Sequence, residues 1–183
     1  MKKIKSIGLF LSSFAPLFVL LILKILIEII NQNWSFNFLN CTLLVILISA
    51  MTFGIITLFK TVKSLKATKG QRVKVTTKQN LTDQHFLGYF SLFVLFAVSF
   101  EIEMYSMAII FFVVMFMIGV VYIKNDMYYI NPLLNIFGYS FYKVVYINSN
   151  NQEKQANVFF KGKLILNHNF ELVDKYSNLF FIK

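Results

Sequence analysis

The stretch Lys60–Lys78, which reads KTVKSLKATKGQRVKVTTK, decides how this chain is organised. It carries seven Lys and Arg residues and no acidic residue. Lys60, Lys63 and Lys66 recur at helical spacing, whereas the alternation around Lys74 is typical of a strand. A lone exposed strand is marginally stable, so we expect this one to need a partner sheet, which the C-terminal tail could provide.

Four apolar runs surround this basic stretch, at Ile7–Ile30, Cys41–Phe59, Phe86–Phe100 and Met104–Ile123. Lys and Arg residues cluster in only every second gap between these apolar runs. Lys2, Lys3 and Lys5 precede the first run, while the gap over 31–40 and the gap around Glu101 and Glu103 carry none. Because clusters of Lys and Arg resist translocation, this bias predicts four membrane spans with both termini in the cytoplasm.

The predicted fold class is therefore a mainly α membrane protein with four transmembrane helices and a small β-rich cytoplasmic C-terminal domain. We expect the transmembrane domain over 1–127, with spans at about 7–30, 41–59, 86–100 and 104–123 and a basic cytoplasmic loop over 60–85. Residues 86–123 as one helix would measure about 57 Å, nearly twice the bilayer core, so a turn at Glu101 and Glu103 is expected to split them. The cytoplasmic domain is expected over 128–183.

Composition supports a membrane protein. The chain has 183 residues, 57% of them apolar, and a mean hydropathy of +0.66. Its net charge of +10 suits phosphate ligands, but ten of the 18 basic residues lie where membrane orientation alone would put them. We therefore favour contact with anionic lipid headgroups over direct nucleic-acid binding. The single cysteine, Cys41, excludes an intrachain disulfide.

Charged and small residues within the apolar runs are candidates for special roles. Ser12, Ser13 and Pro16 favour a kink in the first run. Lys24 and Glu28 stand four residues apart and form a candidate intramembrane charge pair, interpreted as a snorkelling interfacial pair or as a conduction element. Ala50 and Gly54 offer a small face for close helix packing.

The tail begins with a capped helix and continues with short strands. In NPLLNIFG, Asn131 suits the N-cap, Pro132 the first helical position and Gly138 the left-handed stop. Strands forming an antiparallel sheet or partial barrel are predicted at Ser140–Ile147, Asn157–Lys161, Lys163–Leu166, Phe170–Val173 and Leu179–Ile182.

No catalytic, cofactor-binding or metal-binding site is predicted. The two histidines, His85 and His168, have no neighbouring Cys or carboxylate at ligand spacing. The chain contains no phosphate-binding glycine loop, nucleophile elbow or HExxH helix. We therefore expect a protein that is not an enzyme and needs no cofactor.

The segment Tyr129–Val144, YINPLLNIFGYSFYKV, resembles KwaA, the membrane subunit of the Kiwa anti-phage defence system. The sequence resemblance covers about sixteen residues, although the predicted architecture is similar along nearly the whole chain. It implies a homo-oligomer, with a tetramer as one such assembly, in the bacterial inner membrane. It also implies a cytosolic DNA-binding partner that resembles KwaB.

The function that follows from this resemblance is a non-enzymatic sensor and scaffold that responds to phage at the envelope and recruits or licenses the partner. The predicted partner-binding residues are basic: Lys66, Lys69, Arg72 and Lys74. The alternative is a pore-forming membrane effector or small channel, in which Lys24 and Glu28 would line the outer mouth.

Overall fold

A computed structural model describes residues 2–31, 38–99, 105–125, 127, 131–148, 151–166, 168–176 and 179–182. The chain forms two compact units. The first, which we call the helical unit, comprises Met1–Leu58 and Tyr89–Asn125. The second, the barrel unit, comprises Phe59–Gly88 and Asp126–Lys183. The barrel unit thus combines the basic stretch with the tail.

Helices and strands follow the order α1 (Lys2–Ser13), α2 (Ala15–Asn31), α3 (Phe38–Ala67), β1 (Gln71–Asn80), α4 (Thr82–Ser99), α5 (Tyr105–Lys124), α6 (Pro132–Ile136), β2 (Tyr139–Ile147), β3 (Glu153–Lys161), β4 (Asn169–Tyr176) and β5 (Leu179–Ile182). The helix α3 continues beyond its apolar run, so that Lys60, Lys63 and Lys66 all lie on it. The helical structure predicted from the spacing of these lysines is confirmed.

The predicted bundle of four membrane spans is wrong. Among the described residues, one helix, Asn40–Ala67, is long and apolar enough to cross a membrane. A second candidate exists only if the bent pair Ile4–Ser13 and Ala15–Asn31 counts as one span. The described apolar part of α5, Ala108–Lys124, falls short of the length required. The predicted acidic turn at Glu101 and Glu103 lies outside the described residues.

The first apolar run is broken at Phe14, where α1 and α2 meet at an angle of 59°. The hydroxyl of Ser12 donates to the carbonyl of Leu9 at 2.7 Å, and the hydroxyl of Ser13 donates to the same carbonyl at 3.1 Å. Pro16, in the first turn of α2, has no N–H to continue the ladder of helical hydrogen bonds. The predicted kink is therefore confirmed.

Close backbone approach and aromatic packing hold the helical unit together. A Cβ placed on Gly54 would lie 2.6 Å from the backbone nitrogen of Ser12, so α3 passes α1 at a distance that a side chain would prevent. The rings of Phe10 and Tyr122 meet edge to face with centroids 5.4 Å apart. The Tyr122 hydroxyl also shares a buried hydrogen bond of 2.7 Å with Ser13. This network joins α1 to α5.

The five strands close into a barrel in the order β1-β2-β3-β5-β4, and β1 also pairs with β4. All described pairings are antiparallel except that of β3 with β5, which is parallel. The expectation that the strand around Val73 and Val75 pairs with the tail is confirmed, since β1 pairs with two tail strands. The predicted antiparallel sheet or partial barrel is observed as a closed barrel, which differs from the prediction in its one parallel pair, β3 with β5.

Alternation along β1 and β2 builds the barrel core. Val75, Val144 and Val158 are fully buried within it. The predicted strand over Lys163–Leu166 is wrong, because this segment follows Gly162 (φ +98°) and belongs to no strand. Its apolar character has another cause. Leu164 lies in a loop, and its side chain packs into the barrel core. The Lys78 ammonium also donates a hydrogen bond to the Leu164 carbonyl.

Candidate docking surface on the barrel unit

The basic stretch forms an exposed ribbon that runs from the end of α3 into β1. Thr61 and Leu65 are buried on α3, whereas Lys60, Lys63 and Lys66 are exposed, as expected for a helix with one buried face. On β1 the burial of Val73 and Val75 leaves the intervening charged side chains outside the barrel. All four predicted partner-binding residues are exposed members of this ribbon: Lys66, Lys69, Arg72 and Lys74.

Gly70 makes the passage from helix to strand possible. A Cβ at this position would lie 2.7 Å from the carbonyl oxygen of Leu172 and 2.9 Å from its carbonyl carbon. These are backbone atoms of β4, which is hydrogen-bonded to β1 and cannot rotate away. The ribbon therefore enters the barrel at a point where only glycine, which has no Cβ, fits. The close approach of Gly70 to β4 fixes the positions of Lys69 and Arg72 relative to the sheet.

Lys66 is held by an aromatic ring rather than projecting freely. Its ammonium lies 5.9 Å from the ring centroid of Tyr139, and the ammonium of Lys161 lies 6.0 Å from the same centroid. Tyr139 and Lys161 stand directly opposite each other in the register of β2 and β3. Cation–π attraction of this kind is worth about 0.5–1 kcal/mol at exposed sites. The ring thus brings together two cations that are 95 positions apart in the sequence.

Arg72 faces an acidic neighbour across the sheet. In the antiparallel register of β1 and β4, its direct partner is Glu171. Opposite charges at directly opposed positions stabilise a sheet by roughly 0.2–1 kcal/mol. Arg72 therefore has an acidic residue directly opposite it in the sheet.

The charge of the chain is concentrated in the barrel unit. Its residues include thirteen of the eighteen Lys and Arg and five of the eight Asp and Glu, which gives a net charge of +8. Exposed lysines outside the ribbon contribute to this field, among them Lys143, Lys154 and Lys163. Sequence reasoning missed Lys143 and Lys161 as surface candidates, because only their strand register shows what lies beside them.

The predicted intramembrane pair lies on α2, where Lys24 and Glu28 are both half-buried. The Lys24 ammonium donates to the carbonyl of Ala97 at 3.2 Å and to that of Val98 at 3.3 Å. Both carbonyls belong to the last turn of α4, where unpaired oxygens and the helix dipole favour a cation. Lys24 therefore joins α2 to the end of α4.

The predicted cap motif shapes the entry to β2. Asn131 is the N-cap of α6, and its side-chain oxygen accepts from the Leu133 N–H at 3.0 Å. Pro132 is the first helical residue, and Gly138 has φ +78°. The Phe137 ring packs against Phe59 of α3, with centroids 5.2 Å apart. The motif thus places β2 beside the end of α3.

Within the part of the chain that the structure describes, no group of three or more His, Cys, Asp and Glu residues could hold a metal ion. Cys41 is a half-buried free thiol on α3, and His168 is exposed in the loop before β4.

Comparison with protein families gives one match, to the model described as anti-phage protein KwaA, over residues 5–181. The chain belongs to the KwaA family. The match extends over both units and includes the ribbon and the strands of the barrel up to residue 181. Comparison with curated proteins found no match, and neither did comparison with solved structures.

Membership of the KwaA family makes this chain an anti-phage defence protein. The resemblance noted over Tyr129–Val144 is confirmed and extends along nearly the whole chain.

Proposed function

We propose that this chain is the non-enzymatic membrane sensor and scaffold of a bacterial anti-phage complex, and that it recruits a cytosolic DNA-binding protein resembling KwaB. The observation that carries the proposal is the KwaA family match over residues 5–181. The chain acts as a homo-oligomer in the inner membrane, with the barrel unit on the cytoplasmic side. Phage contact at the envelope is the signal, and engagement of the partner is the output.

The length and apolar character of α3 support membrane attachment. Asn40–Ala67 can cross a bilayer, and its basic end can interact with anionic headgroups at about 1 kcal/mol per lysine. The same helix leads directly into β1. A protein attached in this way holds its basic ribbon near the membrane surface, where a recruited partner would be concentrated.

Charge and accessibility support the ribbon as the docking surface. Lys66 and Lys69 are exposed, and the barrel unit has a net charge of +8. A partner with an acidic face would be attracted over a distance of about 8–10 Å at physiological salt. Complementary charges of this kind set the rate of encounter and the register of docking.

Co-purification from detergent tests the proposal. The tagged chain is expressed with the product of the neighbouring gene and is purified at two salt concentrations. Lys66→Glu with Lys69→Glu should remove most of the partner. The matched control, Lys154→Glu with Lys163→Glu, makes the same charge change on exposed lysines outside the ribbon and should retain it. Equal recovery of the partner with both pairs would exclude the ribbon as the docking surface.

The cytoplasmic location of the barrel unit and the pore-forming alternative are tested separately. Lys163→Cys in a Cys41→Ser background should react with an impermeant thiol reagent only after cell lysis. Ion flux through liposomes that contain the purified chain would instead favour a pore-forming effector. Protection against phage should fall with the Lys66→Glu and Lys69→Glu pair and persist with the control pair.

A further inference from the structure

We propose that the outer face of β1, β2 and β3 is a binding site for a single nucleic-acid strand. The proposal goes beyond recruitment of a DNA-binding partner, because it gives this chain a nucleic-acid contact of its own. It also reverses the expectation from sequence, which favoured lipid headgroups as the partner of the positive charge.

Strand connectivity is the first observation. A closed five-stranded barrel in the order β1-β2-β3-β5-β4, with a parallel β3–β5 pair and a β1–β4 closure, has the connectivity of an OB-fold. In that architecture the face centred on the second and third strands binds oligonucleotides or oligosaccharides. The helices α4, α5 and α6 all occupy the connection between β1 and β2. The topology therefore indicates where on the barrel a ligand would bind, and the side chains at that place determine which class of ligand it is.

The residues that point outward on this face follow from the register. Three rows of three side chains lie opposite the buried positions of the core: Gln79, Lys143 and Asn157; Thr77, Val145 and Gln155; Lys74, Ile147 and Glu153. Six of the nine side chains are exposed, and the other three are half-buried. The rows span about 13 Å along the strands and about 10 Å across them. This is an open surface in the described part of the barrel unit.

The face has a defined end. One row farther along β2 and β3, the rings of Phe141 and Phe159 are 3% exposed each and pack with centroids 5.3 Å apart. These two aromatic side chains are covered, so they cannot stack on bases. A ligand on this face is therefore bounded at this end by the row of Lys143.

The side chains in these rows match a nucleic-acid strand better than an oligosaccharide. The Lys143 ammonium can pair with a phosphate, and the amides of Gln79, Gln155 and Asn157 offer both donors and acceptors to base edges. Val145 and Ile147 provide an apolar surface along the middle strand. Glu153 is acidic, but it lies at the edge of the last row, and the unit as a whole has a net charge of +8.

The same side chains set the kind of binding expected. No exposed aromatic side chain is among the nine positions, so base stacking contributes little and phosphate contacts dominate. Binding should therefore tolerate different sequences and weaken steeply with salt. A duplex should bind more weakly than a single strand, because paired bases cannot present their edges to the amides.

Fluorescence anisotropy of the full chain in detergent tests the site. The probes are labelled 20-nucleotide oligothymidine DNA, the corresponding oligouridine RNA and a DNA hairpin, each at several salt concentrations. The single strands should bind, and the comparison of DNA with RNA identifies which of them the face prefers. Lys143→Glu should weaken single-strand binding at least tenfold, whereas Lys163→Glu, an equal charge change off the face, should weaken it less than threefold.

The salt dependence of binding distinguishes a specific phosphate contact from the general electrostatic attraction of the positively charged barrel unit. Lys143→Gln should reduce the magnitude of the slope of log affinity against log salt by about 0.7, the value for one phosphate contact in a single strand. Equal effects of Lys143→Glu and Lys163→Glu, or no binding by the unmodified chain at low salt, would overturn the site. Partner recovery depends on Lys66 and Lys69, which lie off this face, so the two proposals can fail independently.

Discussion

Thr82 and Phe141 form a reciprocal pair of hydrogen bonds at the point where the chain leaves the barrel. The Thr82 hydroxyl accepts from the Phe141 N–H at 2.8 Å and donates to the Phe141 carbonyl at 3.3 Å. The Leu81 N–H donates to the same carbonyl at 3.0 Å. These bonds extend the β1–β2 pairing by one residue, and they fix the start of the long excursion through α4 and α5.

Loss of the Thr82 hydroxyl should therefore weaken the barrel. Thr82→Val keeps the shape of the side chain and leaves the Phe141 N–H without its partner, at a cost of about 1–3 kcal/mol. Thr77→Val, on the exposed face of β1, should change stability by less than about 0.5 kcal/mol. Urea unfolding followed by limited proteolysis of the tail measures both. Similar midpoints for the two variants would contradict the role given to Thr82.

Gly70 should not accept even a methyl group. Gly70→Ala places a Cβ against the Leu172 backbone and should destabilise the barrel by about 1–3 kcal/mol through overpacking. Lys69→Ala, one position earlier and exposed, serves as the control and should be tolerated. Thermal unfolding by circular dichroism in detergent measures the difference, and an unchanged midpoint for Gly70→Ala would exclude the close approach.

Gly138 is constrained by its backbone conformation and not by space. Its φ of +78° disfavours side chains, while nothing lies within 4 Å of a Cβ at this position. Gly138→Val should cost about 1–2 kcal/mol, whereas Gly138→Asn should cost less because Asn adopts left-handed conformations more readily. Asn135→Ala should also be mild. Protease resistance of the tail distinguishes these variants, and equal resistance of the Val and Asn variants would contradict the conformational argument.

Gly54 in the helical unit should be sensitive to substitution. Gly54→Ala pushes a methyl group against the α1 backbone and should lower the thermal midpoint, although better helix propensity offsets up to about 1 kcal/mol. Gly119→Ala is the matched control, because its nearest neighbour is the Phe10 ring at 3.1 Å, which can shift. Stabilisation by both changes would show that α1 and α3 do not approach as described.

Several elements could be read from the sequence because their signals are local. The spacing of Lys60, Lys63 and Lys66 extends α3, the alternation at Val73 and Val75 marks β1, and the residues around Pro16 bend the first apolar run. The family was recognisable from Tyr129–Val144. Each of these features depends on residues within a few positions of one another.

The membrane bundle was mispredicted because hydropathy counts apolar residues without showing whether one straight helix contains them. The first run is divided at Phe14, and the described apolar part of α5, Ala108–Lys124, is too short to count as a span. Similarly, the apolar stretch around Leu164 suggests a strand, yet it is a loop that fills the barrel core. In both cases the segment is apolar, as the sequence indicates, but its secondary structure differs from the prediction.

The sequence by itself determined the helix end, the strand at Val73 and Val75, the capped turn and the excess of positive charge, since each follows from short-range periodicity and residue chemistry. Tertiary structure alone decided that β1 closes a barrel with strands more than sixty residues away. It also decided which side chains share the outer face around Lys143, and that Lys66 and Lys161 meet at Tyr139. Pairing partners and register depend on backbone hydrogen bonds between distant segments, and no local pattern specifies which distant segments will pair.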